Sequence, residues 1–345
     1  MNNIIVGVDL AKHVIQVCIV KRNQVISNEE MTTQQFMLWL LNAKPLTIVF
    51  EACATSNYWK REASKLGHTA KLVSARLVAS IRQNQKTDKN DALAVAQASQ
   101  LVDVNFINGK TVEQQELQSI MRMRDLAIKQ KVALHHQVQS LLLEFGIKSG
   151  SRKGGLGVVV QQVLEDAENG FTDEFRQSLA ITWDAYLGMS DNVSVYEEAL
   201  EKAIKSHPDC QKLLALEGVG VINAINLYIA IGSGEYGVFK TGRDVSACLG
   251  LTPVQHSSGG KTKLGSVSKL VRHSSLRSCL VNGAMSMVVQ VEKREPRTEK
   301  ERWLQQLIKR KGRLCAAVAL ANKTVRTAFA LLNNRTEYKA QPLAG

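Results

Sequence analysis

Asp9 stands inside the first apolar run of the chain, IIVGVDL, and this placement constrains the fold more than any other feature. A carboxylate among buried aliphatic groups is strongly unfavourable unless it is paired, hydrogen-bonded or bound to a cation. The run spans residues 3–10 and is followed closely by VIQVCIVK at 14–21. Both are rich in Val and Ile and predict neighbouring strands. A third strand is expected over 24–31. Residues 32–43 carry helical spacing, with Phe36, Leu38, Trp39, Leu40 and Leu41 clustered. LTIVFEAC at 46–53 predicts another buried strand, 57–66 a helix, 70–74 a short strand and 88–102 a helix with Asp88 as its N-terminal cap. Strands first, then alternating helices and strands, predict an α/β domain with a mixed sheet.

The next segment differs. Residues 111–146 contain no Gly or Pro before Gly146 and repeat apolar side chains at helical spacing. One unbroken helix there would run about 50 Å at 1.5 Å per residue, a length that suggests a coiled coil or arm. GSRKGGLG at 150–157 is a breaker, and 158–206 read as further helices. From about 210 the pattern is helical almost throughout. The chain of 345 residues is therefore expected to comprise an α/β domain at 1–108, a helical coiled-coil arm at 109–206 and a mostly α C-terminal domain at 207–345.

Charge separates the same regions. Residues 240–345 hold 20 basic and 6 acidic side chains, a net +14, against +13 for the whole chain. A one-sided field of this kind implies a polyanionic partner, nucleic acid before an anionic membrane. The six cysteines form no CxxC pair, so they predict buried reduced thiols rather than a zinc site. No signal peptide is visible, and the uncharged stretch Gly218–Gly234 falls short of a span. The expectation is a soluble, cytoplasmic, DNA-associated protein without a membrane.

Three further acids accompany Asp9. Glu51 ends a buried strand, and Asp88 and Asp91 lie at i and i+3, on one helix face. Each has a plain reading of its own: a helix cap, or a strand-end surface group. If the sheet sets Asp9 beside Glu51 and the helix packs over them, four hard oxygen donors converge, which suits Mg²⁺. One or two such ions can position and polarise a phosphodiester.

The basic half supplies a complementary set. LLALEGVGVINAINL at 213–227 has a helix–Gly-x-Gly–helix pattern, with Gly218 and Gly220 placed to offer backbone N–H groups to a phosphate. Glycine is also the ordinary residue of a plain turn. In LGLTPVQHSSGGKTKLGSVSKLVRHSSLR, Ser257 and Ser258 precede Gly259 and Gly260, with Lys261, Lys263, Lys269, Arg272 and Arg277 following. A serine on a cationic, Gly-rich loop is a candidate nucleophile towards phosphorus, although Ser-Ser-Gly-Gly is more commonly just a turn. A basic helical face continues over 293–326, suited to salt-sensitive phosphate contacts.

Taken together, GVDLAK, FEACATSNYW, KTDKNDA, LEGVGVINA and the serine-bearing stretch resemble the DEDD insertion-sequence transposase family, the RNA-guided bridge or seeker recombinases of bacterial mobile elements. The resemblance covers nearly the whole chain. It implies a first domain similar to the Holliday-junction-resolvase branch of the ribonuclease H fold. It implies Mg²⁺ at Asp9, Glu51, Asp88 and Asp91, and a catalytic serine immediately before Gly, which is Ser258 here. In such a family the acids of one subunit and the serine of another form a composite site. The implied partners are donor and target DNA, a structured non-coding guide RNA, and further copies of the chain as a dimer or tetramer. The rival readings are a two-metal nuclease or junction resolvase that needs no serine, an actin-like sugar kinase or ATPase, and a non-enzymatic nucleic-acid scaffold. The kinase reading lacks a second Gly-rich phosphate loop and leaves the basic tail unexplained.

Overall fold

A computed structural model of the chain describes residues 4–149, 155–232, 239–267 and 274–343. It divides into two compact units, one of residues up to Gln115 together with those from Asp209 onward, the other Glu116–Pro208.

The first unit opens with the expected ribbon. Strands β1 (Ile4–Leu10), β2 (Val14–Lys21) and β3 (Gln24–Thr32) run antiparallel in sequence. Helix α1 (Thr33–Asn42) leads to β4 (Thr47–Glu51), which pairs parallel with β1. Helix α2 (Ser56–Lys65) then leads to β5 (Thr69–Val73), parallel to β4. The resulting mixed sheet has the order β3-β2-β1-β4-β5, compatible with a ribonuclease H-like fold. Alternation sorts its two faces. Val6, Val8, Ile48 and Phe50 pack with Phe36 of α1 and Trp59 of α2. The opposite face takes Val49 and Val73, and is covered by α3 (Ala75–Ile81) and α4 (Asp88–Ala98).

Helix α4 comes unusually close to β1. A Cβ built at Gly7 would lie 2.3 Å from the Ala92 carbonyl oxygen and 2.6 Å from the Ala96 nitrogen. Four of the six buried residues of α4 are alanines, and Ala92 and Ala96 face Gly7, so helix and strand backbones meet where larger side chains would hold them apart. The N-cap of α4 is Thr87, whose hydroxyl accepts from the Asn90 N–H, and not Asp88 as expected. Thr87 has the extended backbone a cap needs, which leaves Asp88 as the first helical residue. Helix α3 has no counterpart among the elements expected from sequence, because its seven residues are too few to show a period.

The second unit contains most of α5 (Val112–Glu144), with α6 (Gly155–Glu165) and α7 (Asp173–Lys205). Val138 and Leu142 share a core with Val160 and Leu179. Arg124 binds Glu197 at 2.5 Å and Lys131 donates to Ser190 at 2.8 Å, so α5 and α7 lie side by side.

The remainder of the first unit is mostly helical: α8 (Pro208–Leu213), α9 (Val221–Leu227) running into a π-helical turn (Tyr228–Gly232), α10 (Gly242–Cys248), α11 (Ser274–Glu292) and α12 (Glu299–Asn334). Helix α12 is long and apolar enough to cross a membrane by length and composition alone. Ala316, Ala317, Leu320, Ala321 and Val325 are nevertheless buried within the unit, as in the core helix of a globular domain. The helical expectation for this region misses a two-stranded sheet, β6 (Pro253–Ser258) and β7 (Lys261–Val267). Its residues are mostly polar and almost all exposed, with no sustained apolar alternation to mark a strand, and the pair is joined by the Gly259–Gly260 turn.

Candidate active site

The sheet sets Asp9 and Glu51 next to one another. Val8 pairs with Phe50 in the parallel register, and the two acids follow one step further along each strand. Both lie on the face that carries Gly7 and Val49, the face that α4 covers. The close approach at Gly7 brings the first turn of α4, with Asp88 and Asp91, towards them. Burial pushes the Asp9 carboxyl above its ordinary pKa, and the charges of Asp91 and Asp88 push it further. Burial likewise raises Glu51, followed by repulsion from Asp9 and Asp91. Lys86 opposes both shifts, and Arg82 opposes that of Glu51.

The four acids thus share one electrostatic neighbourhood. Asp91 is buried and accepts from Arg82 Nη1 at 2.7 Å. Arg82 gave no signal in the sequence, since it lies between α3 and α4 outside any motif. Among the described residues, no three acid, His or Cys side chains already stand in coordination geometry. The donor set fits a hard divalent cation all the same: carboxylate oxygens only, with Asp9 and Glu51 raised first by burial and then by neighbouring carboxylates, a charge a cation would offset.

Ser258 sits at the last position of β6, against the turn. Gly259 (φ 55°) and Gly260 (φ 78°) both occupy the left-handed region, as a two-residue hairpin of this twist requires. Ser258 pairs with Lys261 and His256 with Lys263, so these four share one face of the ribbon; Ser257 pairs with Thr262 on the other. The ribbon is exposed along nearly its whole length.

Residues 6–147 match a family model described as a transposase, of the DEDD type named for IS110, and residues 210–300 match the model of the transposase IS116/IS110/IS902 family. The transposase for insertion sequence element IS1111A of Coxiella burnetii is 33% identical over 97% of this chain and 91% of its own length. The chain belongs to this DEDD insertion-sequence transposase family. A probable family 20 transposase of Pseudomonas aeruginosa is 32% identical over 98% of this chain and 99% of its own. A pilin gene-inverting protein of Moraxella bovis is 22% identical over 75% of each. The enzyme is accordingly a DNA transposase or recombinase.

Other residues expected to touch nucleic acid in the transposase divide by environment. Gly218 is needed for packing: a Cβ there would lie 2.7 Å from the Gly283 carbonyl of α11. Gly220, the N-cap of α9, faces open space. Arg277 lines a cleft of about 1160 Å³ with Trp303, Lys323 and Arg326, and Lys323 Nζ lies 4.5 Å from the Trp303 ring centre. Lys269 and Arg272 lie outside the described residues.

The basic face at 293–326 is partly neutralised within the fold. Arg294 is bidentate to Glu301, Arg313 pairs with Glu292, and Lys300 with Glu217 at 2.6 Å. Glu217, from the LEGVG turn, also accepts from the Tyr338 hydroxyl, so these side chains tie the turn to α12 and the segment after it.

Proposed function

We propose that this transposase cuts and exchanges donor and target DNA strands through a covalent serine–DNA intermediate, guided by a structured non-coding RNA. The observation that carries the reading is the convergence of Asp9, Glu51, Asp88 and Asp91 through the close approach at Gly7, in a chain that also presents a serine beside two lysines. These acids would hold Mg²⁺, which supplies Lewis-acid polarisation of the scissile phosphate.

Ser258 is the nucleophile. Its hydroxyl gives up a proton and its Oγ forms a bond to phosphorus, while the bond from phosphorus to one DNA strand breaks. The departing strand oxygen takes up a proton. A strand-end hydroxyl then attacks the same phosphorus and gives up its proton, the bond from phosphorus to Oγ breaks, and Oγ takes up a proton, restoring a DNA phosphodiester and the Ser258 hydroxyl. Lys261 and Lys263, on the same face of the ribbon, offset charge that builds on the phosphate. Gly220, Lys269, Arg272 and Arg277 complete the nucleic-acid surface, with Gly218 setting the turn against α11 that presents Gly220. The exposed hairpin suits a site completed by the acids of another subunit, with α5 as the pairing element of a dimer or tetramer. A protein poor in aromatic side chains, 8 Phe, 6 Tyr and 4 Trp, suits reading backbone and shape while base pairing reads sequence.

The second reading, a two-metal junction resolvase without serine chemistry, needs only the acids. Trapping separates the two. The protein is incubated with Mg²⁺, its flanking non-coding RNA and end-labelled donor and target DNA, then denatured. A protein–DNA adduct that is lost in Ser258→Ala and Asp9→Ala but kept in Ser257→Ala is expected. Nicked DNA without adduct, unchanged by either serine substitution, establishes the resolvase.

A further inference from the structure

The residues before 240 carry almost no net charge, yet their cations are not spread evenly. Helix α2 and the loop after Ile107 enclose a hollow of about 400 Å³ lined by Lys60, Arg61, Lys65 and Lys110 with Asn57 and Ser64. Among the described residues, no carboxylate lines it. It lies on the side of the sheet covered by α2, whose Trp59 and Ala63 pack on Val8 and Phe50, and so opposite the face that carries Asp9 and Glu51.

The hollow is built by specific contacts. Asn57 Oδ1 accepts from the Lys110 N–H at 2.7 Å. Between them Gly109 has φ +78°, and a Cβ there would lie 3.1 Å from Asn57 Oδ1 and 3.3 Å from Lys60 Cδ, so the loop closes tightly on α2. Lys60 Nζ donates to the Asn108 carbonyl. Arg61 Nη1 donates to the Lys110 carbonyl at 3.0 Å and to Gln115 Oε1 at 2.5 Å. Lys60 and Arg61 are thus held by neutral oxygens. The carboxylate of Glu62 goes to Lys65, whose side chain is 68% exposed.

Helical spacing places Lys60 with Ser64 and Arg61 with Lys65, one turn apart. Burial lowers the Lys60 pKa, an unfavourable setting for an ammonium that an anion would reverse. Two cations held in place, Lys60 and Arg61, on a concave surface that no carboxylate lines, with Lys65 and Lys110 beside them, match a phosphate, and phosphates in series match more than one of them.

We propose that Lys60, Arg61, Lys65 and Lys110 form a binding site for the phosphodiester backbone of a nucleic acid, on the opposite sheet face from the four acids. The choice of nucleic acid over another polyanion rests on the transposase reading. The site gives the catalytic region a second grip, separate from the strand to be cut. RNA and duplex DNA present the same backbone chemistry, and the test has an arm for each.

The full chain is titrated in EDTA, so that no strand is cut, with a fluorescein-labelled RNA stem-loop and with a fluorescein-labelled DNA duplex, over a series of NaCl concentrations. For Lys60→Gln/Lys65→Gln, affinity for at least one of the two is expected to fall about tenfold. The slope of log affinity against log salt should fall by about 1–2, roughly one for each phosphate that is no longer neutralised. Lys60→Arg/Lys65→Arg should restore both. Lys65→Gln alone, at a position 68% exposed, should lower affinity and slope by itself. A purely structural role would not change the salt slope. Unchanged affinity and slope in all variants, with both nucleic acids, overturn the site. Serine trapping runs alongside: an intact adduct with an unchanged slope removes this site alone, whereas a reduced slope with no adduct removes strand exchange and leaves the site.

Discussion

The acid site and the serine hairpin are built in opposite ways. Asp9, Glu51, Asp88 and Asp91 come from two parallel strands and a helix far along the chain from both, and they come within electrostatic reach of one another because backbones touch at Gly7. Ser258, His256, Lys261 and Lys263 come from one short stretch, residues 256–263, aligned by a two-glycine turn. The acids are half-buried or buried apart from Asp88, and they perturb one another. The hairpin is exposed and borrows little from the rest of its unit. Stability and activity should therefore be coupled at the first region and separable at the second.

Gly7→Val should have the largest effect. Its side chain would enter the space of Ala92 and Ala96, pushing α4 off the sheet. About 3 kcal/mol of stability is expected to be lost, read by urea unfolding, together with all strand cleavage. Cleavage that survives would mean the acids do not need α4 seated on β1.

Gly260→Val makes the contrasting test. A left-handed backbone costs a non-glycine residue about 1–2 kcal/mol, but here the strain falls on an exposed hairpin. Adduct formation should drop at least tenfold while the unfolding midpoint of the chain barely moves. A large loss of global stability would show that the hairpin is part of the core after all.

Glu301 provides a smaller, pH-dependent effect in the basic half. Hydrogen bonds from Arg294 hold its carboxyl below the usual range; burial opposes them, and the Arg297 N–H adds to them. A carboxyl held low in the folded chain stabilises it above the ordinary carboxylate pKa and loses that contribution as pH falls towards the folded value. Stability should decline below about pH 4.3, and Glu301→Gln should flatten that decline. Glu301→Ala should cost about 2 kcal/mol at neutral pH.

Thiol labelling gives the mildest probe. Burial pushes Cys18 up to about 11 and, with help from Asp209, Cys210 up to about 12, whereas Cys53 and Cys315 are exposed. At neutral pH, Cys53 and Cys315 should react with a maleimide first and Cys18 and Cys210 only on unfolding. Early labelling of Cys18 would show that β2 opens beneath α4.

Much of this was legible before any coordinates. Continuous Val- and Ile-rich runs place β1, β2 and β4 within a residue or two, since a strand buried on both faces tolerates little else. The cost of burying Asp9 singles it out as a candidate site residue, and Asp88 and Asp91 declare their common helix face by spacing alone. Local pattern could not reveal the salt bridge from Arg82 to Asp91 or the Thr87 cap, because both depend on where the chain turns between α3 and α4. Nor could it separate Ser258 from Ser257 by face, which follows from strand register. Acid–base partners such as Glu217 with Lys300, 83 positions apart, are likewise set by packing. The sequence by itself determined the elements, the charge asymmetry and the chemistry available, because propensity, period and the cost of burying charge act within a few residues. Only the tertiary structure decided which carboxylates converge, which cations are already neutralised and which face the serine shares, because those depend on how closely separate backbones can approach.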